Sequence, residues 1–216
     1  MRRLFLTSLF TIISIISFAS SAQLSQTKAI AETANVITPL LNGQQVPSST
    51  MKNIHGEVVQ LTEIIKNKKT ILFFYRGGWC PFCNRQMGQL KAIEGELKDL
   101  GFQLIGISTD SPKDLKKSIH DKKLGYQLFS DFNSTVSQTF GLAFFSSQKT
   151  TDLYLEKVHL KNPLQKNAAG DKRLVLPAPA IYVIDNKGLV QFSYVNPNYK
   201  VRLDEKLLLL AAKLVK

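Results

Sequence analysis

Short apolar runs alternate along the chain with segments of helical spacing. Ile71 to Tyr75 is an unbroken apolar run, rich in aromatics and too short for a buried helix. It predicts a central strand covered on both faces. Arg76-Gly77-Gly78 breaks that strand, and the segment after Cys83 brings Met87, Leu90, Ile93 and Leu97 onto one helical face. Gly101 ends this helix, and Phe102 to Ser108 reads as a second strand. Ser111-Pro112-Lys113-Asp114 starts another helix, with a hydroxyl cap, proline in first position and a carboxylate in the first turn. Leu115 and Ile119 face its core side, and Gly125 is the expected stop. Tyr126 to Phe129 reads as a short strand. Asn133 or Ser134 then caps a helix with Val136 and Phe140 inward, ending at Gly141. The β-α-β-α order predicts parallel strands.

Ala180 to Ile184 and Leu189 to Val195 form a hairpin around Asp185-Asn186-Lys187-Gly188. Pro179 directly precedes it, where no ladder hydrogen bond is needed. Leu203 to Val215 closes the chain as an amphipathic helix whose apolar side carries Leu203, Leu207, Leu210 and Leu214. Met51 to Leu61 suggests a small hairpin turning at His55-Gly56. Residues 23 to 45 read as an extension packed on a domain that runs from 46 to 216. Residues 144 to 176 have mixed periodicity and breakers at Asn162-Pro163 and Ala169-Gly170. They read as an insertion over one end of the sheet before the last strand pair, a passive connector first and a gate second. The expected architecture is α/β: a central mixed sheet flanked by helices.

The first 22 residues change the setting. Arg2 and Arg3, the apolar stretch Leu4 to Phe18 and the small residues Ser20-Ser21-Ala22 have the order of a cleaved secretory signal. The expectation is export to the periplasm with cleavage after Ala22; an uncleaved anchor is the alternative, and no stable membrane anchor is expected. Removal leaves 216 − 22 = 194 residues and lowers the charge from +12 to +10, since two arginines go. The lysines are spread over several segments without interleaved aromatics, so the basic balance does not point to nucleic acid. A solvated surface near anionic envelope components fits it better.

The chain has two cysteines, and both fall where the central strand hands over to a helix, in Trp79-Cys80-Pro81-Phe82-Cys83. Pro81 suits the first helical position. The dipole and unpaired N–H groups of a helix start favour thiolate over thiol, and two thiols in one turn can cycle between dithiol and disulfide. A staple across so short a loop gains little. A zinc half-site would need ligands that His55, His120 and His159 do not supply at ligand spacing. Buried structural cysteines would not need the elbow. No metal and no cofactor are expected.

F-F-Y-R-G-G-W-C-P-F-C, with I-G-I-S-T-D-S, L-F-S-D-F-N-S-T-V-S-Q-T-F-G-L and P-A-I-Y-V-I-D, resembles the peroxiredoxin-like branch of the AhpC/TSA family, within the thioredoxin fold. The similarity covers roughly residues 45 to 212. It implies a thiol-dependent peroxidase acting on hydrogen peroxide or organic hydroperoxides and recharged by a thioredoxin-like donor. Peroxiredoxins carry proline at the position of Arg76 and threonine at that of Cys80, and their register puts the attacking cysteine on Cys83. Their activating arginine falls on Pro179, which instead matches the cis-proline of thioredoxins. Thioredoxin logic makes Cys80 the attacker, as the more exposed of the pair, and both assignments stay open. Arg76 is the first candidate to stabilise the leaving oxygen, ahead of Arg85 and Arg202. Trp79 shields the pair, and Pro179 and Arg202 join it as substrate-binding candidates. A periplasmic oxidoreductase acting on protein disulfides is the competing function, and a non-enzymatic binding module is the third.

Overall fold

The computed structural model describes residues 27–215, so the candidate signal lies outside the described residues. Seven strands form one mixed sheet in the order β11-β10-β3-β4-β5-β1-β2. These are β1 (Thr50–Lys52), β2 (Val58–Gln60), β3 (Lys69–Tyr75), β4 (Phe102–Ser108), β5 (Gln127–Ser130), β10 (Ala180–Ile184) and β11 (Val190–Val195). β3, β4 and β5 are parallel, and Tyr75 lies level with Ser108, so the carboxyl ends of β3 and β4 share one edge. β10 runs antiparallel to β3, and β11 closes that side of the sheet. β1 and β2 form the hairpin expected over Met51 to Leu61.

β3 holds the two cores apart. Ile71, Phe73 and Tyr75 pack on one face with α2 (Pro81–Ala92), α3 (Glu94–Asp99), α4 (Pro112–Lys122) and α7 (Glu205–Leu214). Leu72 and Phe74 pack on the other with α1 (Leu61–Ile65) and α5 (Thr135–Thr139). All five side chains are fully buried, as a strand covered on both faces requires. The helix expected after the cysteines is two helices, α2 and α3, broken at Ile93. The break keeps the spacing, so Met87, Leu90, Ile93 and Leu97 are all buried.

α4 starts as read, with Ser111 accepting the Asp114 N–H. Its stop is Lys123, in the left-handed region at φ 50, rather than Gly125. Gly125 is a packing position instead, because a Cβ there would lie 2.7 Å from the Glu94 carboxylate. α5 is not capped by Asn133 or by the Ser134 side chain. The buried Asp131 does this from the end of β5, accepting the Val136 and Ser137 N–H groups at 2.8 Å and the Ser137 hydroxyl at 2.6 Å.

Residues 144 to 176 contain β6 (Ala143–Phe145), α6 (Gln148–Lys157), the pair β7 (Gln165–Lys166) and β8 (Lys172–Arg173), and β9 (Val175–Pro177), which pairs with β6. α6 buries a single residue, Thr151, whose hydroxyl bonds Ser146 and accepts the Leu174 N–H. It is held by polar contacts, so it shows no apolar stripe. α7 departs further from expectation. Its inward residues are Leu208 and Ala212, while Leu207, Leu210 and Leu214 are 56%, 54% and 73% exposed. Four leucines in a row leave periodicity unable to choose a side, and packing chooses Leu208.

Removing the Asp131 carboxylate leaves buried donors without a partner. Asp131→Ala is expected to destabilise the fold by about 2 kcal/mol, read as a lower urea midpoint with unchanged slope.

Candidate active site

The elbow after β3 is shaped by two glycines. Gly77 has φ 156, and a Cβ there would collide with the Trp79 indole and lie 2.6 Å from Asp110. A Cβ at Gly78 would strike the Ser118 hydroxyl. Asp110, at the end of β4, fixes the turn by accepting the Gly78 N–H at 2.7 Å. Burial pushes its carboxyl up to about 6, against the pull of that N–H. Cys80 then occupies the N-cap of α2, Pro81 follows in the first turn, and Cys83 lies one turn in.

The two thiols share a proton. The Cys83 S–H donates to Cys80, and this contact is the largest cause bringing Cys80 down to about 6. Burial opposes it; the Cys83 backbone N–H and the Arg76 and Arg202 charges add to it. The same donation, then burial and the Cys80 charge, push Cys83 well up, while Arg202 and the Arg76 N–H pull back. Both shifts point to Cys80 as the more acidic thiol of the pair, while Arg202 Nη2 donates to the Cys83 sulfur at 3.5 Å.

Two arginines flank the pair. Arg76 is 4% exposed. Its Nη2 donates to the Tyr154 hydroxyl at 2.8 Å. The guanidinium carbon lies 4.3, 5.1 and 5.5 Å from the ring centres of Tyr199, Tyr154 and Trp79, distances at which ring faces attract a cation. Its Nε and Nη1 have no protein partner. Arg202 places Nη2 3.5 Å from the Cys83 sulfur and donates through Nη1 to the Tyr199 and Val201 carbonyls.

Aromatic rings roof the thiols. Trp79 packs tilted at 58° against Tyr154 of α6, ring centres 4.7 Å apart, and Phe82 meets Tyr199 edge-on at 5.7 Å. Cys80 is 2% exposed and Cys83 not at all. The expected advantage of Cys80 in exposure is thus absent, and charge, not access, separates the two sulfurs.

The structure brings together Cys80, Cys83, Arg76, Trp79 and Arg202. Arg85 stays at the surface of α2. Pro179 lies at the same end of the sheet, one residue before the Ala180–Phe74 pair. It accepts the Asn196 N–H through its carbonyl and follows a trans peptide bond, unlike the thioredoxin proline. Three site residues escaped the sequence reading: Asp110, Tyr154 and Tyr199. Asp110 had a signal, since it directly follows the carboxyl end of a parallel strand, where α/β sheets place their sites. Tyr154 and Tyr199 sit in segments without readable periodicity. Among the described residues no group of three or more His, Cys, Asp and Glu could hold a metal ion.

The AhpC/TSA family profile matches residues 42–193. A putative peroxiredoxin bcp of Haemophilus influenzae is 35% identical over 106 residues, covering 49% of this chain and 68% of that one. The chloroplastic peroxiredoxin Q of Populus jackii is 26% identical over 196 residues, covering 90% and 79%. Among solved structures, reduced Prx3 of Vibrio vulnificus in complex with hydrogen peroxide superposes with a TM-score of 0.64 at 16% identity, over 80% of this chain and 99% of that one. Peroxidoxin BcpB of Mycobacterium tuberculosis gives 0.61 at 18% identity, over 81% and 97%. At those identities the superpositions speak for the fold, and the sequence matches carry the family. The chain belongs to the AhpC/TSA family and is a peroxiredoxin-type thiol peroxidase on the thioredoxin fold.

Proposed function

We propose that the chain is exported to the periplasm and reduces hydrogen peroxide or organic hydroperoxides through a dithiol–disulfide cycle, with Cys80 as the attacking sulfur. The choice of sulfur is supported by the shift of Cys80 down to about 6 against the upward shift of Cys83, with Cys80 placed at the start of α2. Export rests on the order of residues 1 to 22.

The Cys80 thiolate attacks one peroxide oxygen. An S–O bond forms, the O–O bond breaks, and the departing oxygen leaves with the electron pair and takes up a proton. The two free N–H groups of Arg76 are the donors for that developing charge. Cys83 then attacks the sulfenic sulfur; an S–S bond forms and water departs, which forestalls further oxidation. A thioredoxin-like dithiol donor returns two electrons and restores both thiols. Tyr154 acts as a positioning residue, since its hydroxyl fixes the Arg76 fork.

A thiol pulled down to about 6 is protonated below that pH and charged above it. Alkylation of Cys80 should therefore rise with a midpoint about pH 6 and then level off; Cys83→Ala, lacking the S–H donor, should move the midpoint upward. Tyr154→Phe keeps the ring and loses the bond to Arg76. Its kcat/KM for peroxide should drop roughly tenfold, with the Cys80 midpoint rising too, a shift that loss of packing alone does not produce. Cys80→Ser should consume no peroxide, and Cys83→Ser should trap a sulfenic acid on Cys80. A sulfenic acid on Cys83 in Cys80→Ser would reverse the assignment in favour of the peroxiredoxin register.

A further inference from the structure

The outer side of α7 is apolar where a solvated helix is polar. Leu207, Leu210 and Leu214 recur at three- and four-residue steps and are 56%, 54% and 73% exposed, with Val201 42% exposed just before the helix. From this stripe an apolar groove of about 790 Å³ runs between α7 and β11, lined by Phe192, Tyr194 and Leu203 as well as the three leucines. Residues 42 to 46 run along the start of β11 at the sheet edge, while the three leucines of the groove stay exposed. Contiguous exposed apolar surface of this kind marks an interaction site.

The charges beside the stripe indicate the partner. Lys206 and Lys213 lie next to the leucines on the helix, and Lys200 lies just before it; all three are exposed. The whole chain carries +12. Asp204 at the helix start is the one exposed carboxylate beside these three lysines, so the surface stays net positive, a charge that disfavours a like copy and that an anionic lipid surface meets. An apolar stripe bordered by lysines on a surface helix is the arrangement that lies in a bilayer interface.

We propose that α7 and β11 form a face that seats on an anionic phospholipid bilayer, the leucines entering the headgroup boundary and Lys200, Lys206 and Lys213 meeting lipid phosphates. This is peripheral contact through one face and needs no spanning helix; among the described residues no helix is long and apolar enough to cross a membrane. The groove begins at Leu203, next to Arg202, whose Nη2 is 3.5 Å from the Cys83 sulfur. The binding claim stands independently of the peroxidase reading, because it rests on exposure and charge alone.

Co-sedimentation tests it, using the chain from Gln23 onward, which keeps every residue of the described fold. The protein should pellet with phosphatidylcholine vesicles containing roughly one-third phosphatidylglycerol, and on the order of tenfold less with phosphatidylcholine alone. The Leu207→Ser/Leu210→Ser/Leu214→Ser variant and the Lys206→Glu/Lys213→Glu variant should each lose binding by a similar factor. Both should keep the parent's hydrogen peroxide turnover, which separates failure of the surface from failure of the site. Equal sedimentation of parent and leucine variant overturns the proposal. So does a parent that stays in the supernatant, or one that is a dimer in solution and becomes a monomer in the leucine variant.

Discussion

Arg76 is a cation buried at the end of the central strand, with no carboxylate bonded to it among the described residues. Burying a charge without compensation is costly, and much of the surrounding structure supplies that compensation. Three ring faces and one hydroxyl solvate the guanidinium from the sides, and the Cys80 thiolate is the nearby anion. The guanidinium adds to the pull on Cys80, behind the contact with Cys83, and a charged Cys80 in turn offsets part of the cost of burying the guanidinium. Oxidation to a disulfide removes the negative partner and leaves Arg76 held by aromatic faces and Tyr154.

The sheet explains why these groups converge. β3 and β4 end level, so Arg76 and Asp110 leave neighbouring strands at the same edge. Asp110 grips the Gly78 N–H, and the two glycines let the chain turn sharply enough to start α2 immediately. α6 and the loop before α7 reach over from opposite sides, each contributing one tyrosine. The first is anchored through Thr151 and Ser146, the second through the Arg202 bonds to the Tyr199 and Val201 carbonyls. The insertion read as a passive connector therefore supplies part of the site wall.

What could be read from the sequence was what local chemistry decides. β4 runs over the residues marked by its apolar run, and Ser111 caps α4 because hydroxyl, proline and carboxylate fall within four positions. The cysteines lie at the elbow because glycines and Pro81 leave few other conformations. What escaped was decided at a distance. Asp131 displaces Ser134 as the cap of α5 by reaching in from the previous strand, a competition that propensity does not register. Tyr154 meets Trp79 across 75 positions of chain (154 − 79) and sits in a helix held by hydroxyls. The orientation of α7 was undetermined for a different reason, since consecutive leucines offer several equivalent apolar sides.

The departure from the family motif has a physical reading. A threonine at position 80 can donate a hydrogen bond to a sulfur at 83 but cannot ionise near neutral pH, so the negative charge would have to rest on residue 83. With cysteine at 80 there are two acids and one shared proton. The contact with Cys80, and then burial, favour keeping the proton on Cys83. The charge settles at the helix start, beside the arginine that stands where peroxiredoxins have proline. Cys80 supplies the first sulfur, and Arg76, where peroxiredoxins have proline, adds positive charge that favours its ionised form. On the proposed reading, the role of attacker follows the charge and not the alignment column.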